Sequence, residues 1–158
     1  MLQDLPTVAP PRSATPAPIR PAEIVYLAEA TAHGGRDGFL RTPDGQLDVR
    51  VGIPRELGGD GVGTNPEQLF AAGWSACFHS ALALVGDRAG HDLTAATVSA
   101  KVGLGPTEAD AFGFDVALRV SLPLLDQSLA ERFVAEARQV CPFSNATRGN
   151  IDVSIMLS

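Results

Sequence analysis

The stretch from Leu69 to Val85 is apolar almost all the way round a helix, interrupted only by Gly73, Ser75, His79 and Ser80. A helix with no polar face needs cover on every side, so it must lie at the centre of whatever this chain builds. Its start is marked by Asn65 as cap, Pro66 at the first helical position and Gln68 placed to close a capping box, and it is expected to run to about Arg88, before Gly90. Two dozen residues span about 36 Å. Length alone would also allow a membrane span, but the apolar run holds a His and two Ser and sits among half-polar strands, which favours a buried core helix. A chain of 158 residues supplies one domain and little material to cover such a helix. The small residues Ala71, Ala72, Gly73, Ser75 and Ala76 would let another backbone approach closely, and a homodimer is the expected remedy.

The flanking segments alternate. Leu47, Val49, Val51 and Ile53 are interleaved with Asp48, Arg50 and Gly52, just after the turn signal Pro43-Asp44-Gly45. The same two-residue period recurs at Val98–Leu104, Val116–Leu122 and Ile151–Leu157, and Tyr26–Thr31 reads as a further short strand. One wet face per strand predicts mostly antiparallel pairing, since parallel sheets covered on both faces show continuous apolar runs. A second helix is expected from about Asp126, with Leu129, Phe133, Ala137 and Val140 as its apolar stripe, ending at Cys141-Pro142 because proline disfavours helix in the residue before it. The fold class is therefore α+β, with sheets packed around a long central helix.

Residues 1–21 hold six of the 12 prolines and no periodic apolar pattern, and read as a flexible Pro-rich tail ahead of a single domain over residues 22–158. Asp4 and the prolines at 6, 10 and 11 interrupt any secretory signal, so the cytoplasm is the expected compartment. With 12 Lys and Arg against 18 Asp and Glu, a net charge of −6 disfavours nucleic acid as a partner.

Several tempting motifs fail. Leu57–Gly63 precedes a helix but lacks both the GxGxxG spacing and the Lys-Ser/Thr of a phosphate loop, and reads as a mobile loop. Gly73-Trp74-Ser75-Ala76-Cys77 has no second glycine and lies inside a helix, unlike a nucleophile elbow. His79 stands two helical positions from Cys77, so the side chains diverge by about 200° and cannot share a proton or a metal; a structural role is expected. Three scattered His and two Cys make no zinc site, and no bound cofactor is expected. That leaves Cys77 and Cys141, each an inert buried residue, one half of a structural disulfide, or one half of a thiol pair that cycles.

Two long motifs narrow these options. Thr64–Phe78, reading TNPEQLFAAGWSACF, and Cys141–Val153, reading CPFSNATRGNIDV, resemble the two cysteine motifs of the organic hydroperoxide resistance (Ohr) branch of the OsmC/Ohr family. Gly34-Gly35-Arg36-Asp37-Gly38 and Pro54-Arg55-Glu56-Leu57-Gly58-Gly59 extend the resemblance from about residue 24 to the end. Trp74 and Phe143 depart from it, standing where tyrosine is usual.

The resemblance implies an intertwined homodimer with two sites at the subunit interface, acting as a thiol peroxidase on alkyl and fatty-acid hydroperoxides. Carried over, Cys77 is the peroxidatic residue, Cys141 the resolving one, Arg36 the arginine beside the thiolate and Glu56 the carboxylate that holds it. A dihydrolipoyl dithiol, free or on a lipoylated protein, is the implied reductant. Phe70, Trp74 and Phe143 are candidates for an apolar substrate entrance. A redox sensor or apolar-ligand carrier of the same fold, without useful turnover, is the alternative.

Charge and chemistry set what Arg36 must do. One guanidinium about 4 Å from the sulfur at an effective dielectric of 20 contributes about 4 kcal/mol, roughly three powers of ten in acidity. Lowering a thiol from about 8.5 to 5.5 raises its thiolate fraction at pH 7 about 30-fold, yet costs about 20-fold in intrinsic nucleophilicity. Acidity alone nearly cancels. The arginine is therefore expected to bond the oxygen that gains charge as the O–O bond breaks.

Overall fold

A computed structural model describes residues 17–158. Most of the Pro-rich tail lies outside the described residues, and its last five, 17–21, form no helix or strand.

The N-terminal half builds a three-stranded antiparallel sheet in the order β1 (Thr31–His33), β2 (Gly38–Arg41) and β3 (Asp48–Val51). Its β2–β3 turn is the one expected: Gly45 adopts φ +71, and the Thr42 hydroxyl donates to Asp44 Oδ1 at 2.6 Å. The expected strand at Tyr26–Thr31 is corrected to Thr31–His33. Pairing stops at Thr31↔Arg41, because beyond Arg41 the neighbouring chain turns away at Thr42–Gly45 and leaves nothing opposite residues 26–30. Val25 and Leu27 consequently stand 89% and 82% exposed.

Helix α1 (Pro66–Arg88) has the predicted bounds. Asn65 Oδ1 accepts from the Gln68 N–H at 2.8 Å, whereas Gln68 Oε1 accepts from the Thr64 hydroxyl at 3.0 Å instead of closing the box on Asn65. One face, carrying Trp74, Phe78, Ala81, Leu82 and Val85, is buried. Cover on every side is not achieved within one chain: Ala72, Ala76, Ser80 and Leu84 form an exposed stripe of i, i+4 neighbours on another face.

The rest of the core comes from the C-terminal half. β4 (Thr97–Pro106) and β5 (Phe112–Ser121) form a ten-residue antiparallel ladder, Thr97↔Ser121 to Pro106↔Phe112. Val116, Leu118 and Val120 point inward while Asp115 and Arg119 stay exposed, the alternation read from the sequence. α2 (Gln127–Val140) opens on Asp126, whose Oδ1 accepts from the Leu129 N–H at 3.0 Å, and buries Ala130, Phe133 and Ala137. A short α3 (Pro142–Thr147) follows, and β6 (Val153–Leu157) then pairs with β5. That last pairing is parallel, an exception within the mostly antiparallel expectation, because α2 and α3 carry the chain back across the sheet before β6 begins.

Candidate functional site: two thiols and a distant arginine

The helix break at Cys141 brings the two sulfurs together. Pro142 lacks an N–H and cannot continue α2, but its fixed φ suits the first position of a new helix, so α3 starts at once in a new direction. Cys141 therefore sits at a corner, fully buried, with its sulfur 3.6 Å from that of Cys77 on α1. Both are free thiols, and Cys77 is partly exposed. A disulfide needs about 2.05 Å, so closing this gap takes a movement of about 1.5 Å.

Burial pushes the Cys77 thiol above its ordinary pKa, the Phe143 N–H at the start of α3 pulls it down, and the neighbouring Cys141 sulfur raises it again. Arg36 does not figure among these influences, which departs from the expectation of a guanidinium beside the thiolate. The Phe143 N–H is a second departure from that expectation. Its only sequence signal is Pro142, which starts a helix two residues from the second cysteine.

Arg36 is held elsewhere. It sits in the β1–β2 turn, where Gly34 and Gly35 take φ +75 and +58 and a Cβ on Gly38 would collide with the His33 carbonyl oxygen. From there Arg36 Nη1 donates to Glu67 Oε2 at 3.0 Å and Nη2 to Glu67 Oε1 at 2.6 Å, a bidentate fork. The side chains are 41% and 12% exposed, respectively. The fork holds the Glu67 carboxyl below its ordinary pKa and the Arg36 guanidinium above its own. Glu56, expected to fill this role, is corrected to Glu67. Glu56 lies on the 3-10 turn Arg55–Leu57 and makes no ion pair among the described residues, although both carboxylates line one cavity of about 420 Å³. Glu67 has the advantage of the first turn of α1, where the helix dipole favours an anion. That position was legible in the sequence, inside the same motif as Cys77.

Glu67 and Cys77 are ten residues apart on one helix, hence about 15 Å along its axis. Within one chain the arginine and the thiols are separate.

The three aromatic candidates converge, and a fourth joins them. Phe70 packs edge-on against Trp74 at 5.4 Å and stacks on Phe114 at 5.3 Å, while Phe143 lies 5.7 Å from Phe70 and 6.0 Å from Trp74. Phe143 also covers Gly73, where a Cβ would come within 3.2 Å of its ring. Phe70 and Phe143 are partly exposed, but Trp74 is 0% exposed with its Nε1 unpartnered, so here it backs the apolar wall and does not line an entrance. His79 is structural as expected, its Nε2 3.0 Å from the Ala96 carbonyl oxygen.

Known proteins resemble this chain over most of its length. The family described as OsmC-like protein matches residues 58–156. An uncharacterised protein from Acinetobacter baylyi is 50% identical over 83% of this chain and 92% of its own length. The organic hydroperoxide resistance protein of Xanthomonas axonopodis pv. citri is 46% identical over 87% of this chain and 98% of its own. Among solved structures, an organic hydroperoxide resistance protein OsmC from Legionella pneumophila superposes with a TM-score of 0.83 at 46% identity, over 86% of this chain and 99% of that one. A two-sheet α+β fold around one long helix, with matching sequence along its length, places the chain in the OsmC/Ohr family, among the organic hydroperoxide resistance proteins.

Proposed function

We propose that this chain detoxifies organic hydroperoxides as a thiol peroxidase, and that the 3.6 Å approach of Cys141 to Cys77 is the observation that carries the reading. Relatives named for organic hydroperoxide resistance support the substrate class. The Cys77 thiolate attacks the distal oxygen of the peroxide, the O–O bond breaks, the departing alkoxide takes a proton as alcohol, and Cys77 is left as sulfenic acid. The Cys141 thiol displaces the hydroxyl as water, giving a Cys77–Cys141 disulfide. A dihydrolipoyl dithiol, itself oxidised to the cyclic disulfide, returns both thiols in a reducing cytoplasm.

The arginine is the missing part, and a second copy supplies it. A two-fold axis that packs two α1 helices antiparallel, crossing at Ala72, sets residue 67 of one copy level with residue 77 of the other, since 72 lies midway between them. Ala72 and Ala76 are exposed and small enough for that approach. Arg36 then arrives beside the Cys77 of the other copy, already fixed in plane by Glu67. There it offsets the burial that raises the thiol and donates to the peroxide oxygen as charge develops. The aromatic wall of Phe70, Phe143 and Phe114 favours alkyl groups over hydrogen peroxide.

Steady-state consumption of an alkyl hydroperoxide with dihydrolipoamide, compared between wild type and Cys77→Ser, tests the reading. Equal rates would reject it.

A further inference from the structure

The end of α2 lacks two backbone donors, for two different reasons. In a continued helix the N–H of residue 142 would close on Arg138 O and that of residue 143 on Gln139 O. Pro142 has no N–H, and the Phe143 N–H, whose influence lowers the Cys77 thiol, makes no bond to Gln139 O. Both carbonyls nevertheless find side-chain donors. Arg148 Nη2 donates to Arg138 O at 3.2 Å, and Asn145 Nδ2 donates to Gln139 O at 3.1 Å. The two donors are also tied to each other and to α2: Arg148 Nη2 reaches Asn145 Oδ1 at 2.8 Å and Nη1 reaches Gln139 Oε1 at 2.7 Å. Arg148 stands just past the end of α3, so its fork spans the corner from the far side. A planar guanidinium can hold these acceptors together, whereas a lysine ammonium is a single flexible point.

We infer that Asn145 and Arg148 are positioning residues for the thiol pair: by standing in for the two missing donors they hold α2 and α3 at the angle that leaves the Phe143 N–H to Cys77 and keeps Cys141 beside it. Each bond is small at an exposed site, but all of them close on the same corner, and none is available to an unbroken helix. This inference rests on the peroxidase reading for its purpose, not for its geometry.

The test uses Cys141→Ser as parent, so that Cys77 is the single thiol, and follows the pH dependence of its alkylation by iodoacetamide. Asn145→Ala and Arg148→Ala should each move the midpoint up by about one pH unit, the size of one lost hydrogen bond to a thiolate, and Arg148→Lys should recover part of that shift. With Cys141 restored, one equivalent of cumene hydroperoxide should leave several times more dimedone-trappable sulfenic acid in either alanine variant than in wild type. Pro142→Ala returns a backbone N–H for Arg138 O, so Arg148→Ala should shift the midpoint less in that background, which a merely stabilising role would not do. Unchanged midpoints with unchanged sulfenic yield, or equal shifts with and without Pro142, would overturn the inference. Should Arg148→Ala not fold, Asn145→Ala carries the same readout. Alkylation needs no hydroperoxide, so failure of the peroxidase reading would show separately, as no turnover by wild type.

Discussion

The guanidinium of Arg36 closes on the carboxylate of Glu67 through two hydrogen bonds, at 3.0 and 2.6 Å, ten residues before Cys77 on the same helix. A fork held in two places cannot swing freely, so the pair aims the guanidinium as well as neutralising it. Glu67→Gln should slow the oxidation of Cys77 by about tenfold or more, through loss of that aim. Glu56→Gln should stay close to wild type. Stopped-flow fluorescence of Trp74, the one tryptophan, reads the step, and the opposite ranking of the two variants would restore Glu56 to the role.

If Arg36 serves the thiols of another copy, two dead variants should rescue each other. Arg36→Ala and Cys77→Ser are each expected to be inactive as homodimers. Coexpressed in equal amounts, half of the dimers are mixed and one of the two sites in each is intact, so about a quarter of wild-type turnover should return. Mixtures no more active than their components would mean that each chain uses its own arginine.

The fork also predicts how stability follows pH. The Glu67 carboxyl is lowered in the folded state by its bonds to Arg36, so the unfolded chain takes up that proton first as pH falls. The contribution of the pair is complete above the ordinary carboxyl value of about 4.5 and is lost as pH drops through the folded value. Urea unfolding of wild type and Glu67→Gln should therefore differ at pH 7 and converge in acid. A gap that persists at low pH would contradict a charge-based role.

Gly38 supports the same arginine from behind. A Cβ there runs into the His33 carbonyl oxygen across the β1–β2 turn, which no side-chain adjustment can relieve. Gly38→Ala should depress turnover nearly as far as Arg36→Ala while the far-UV circular dichroism of α1 and α2 is kept. Wild-type turnover in this variant would show that the turn does not aim Arg36.

Much of this is legible in the sequence. Asn65-Pro66 and Asp126 announce their helices because capping is a local interaction, and the strand alternation follows from one-sided burial. The meeting of Cys77 and Cys141 came from the resemblance of two motifs, not from spacing. What escaped were relations set by tertiary geometry. Pro142 reads as a stop, yet it is equally the first residue of α3, and only the packed corner brings the Phe143 N–H to bear on the Cys77 thiol. Glu56 and Glu67 are both acidic residues in matching motifs, and which one Arg36 reaches depends on how the β1–β2 turn lies over the start of α1. The parallel β5–β6 pairing depends on the path of α2 and α3, which periodicity does not record.

The most direct measurement is single-turnover oxidation of the reduced protein by one equivalent of an alkyl hydroperoxide, with the products mapped by mass spectrometry. Wild type should form one intramolecular Cys77–Cys141 link per chain with release of one alcohol, Cys141→Ser should stop at a trappable sulfenic acid on Cys77, and Cys77→Ser should leave the hydroperoxide intact. Peroxide consumed at the wild-type rate by Cys77→Ser, or a wild-type product lacking the Cys77–Cys141 link, would contradict the account.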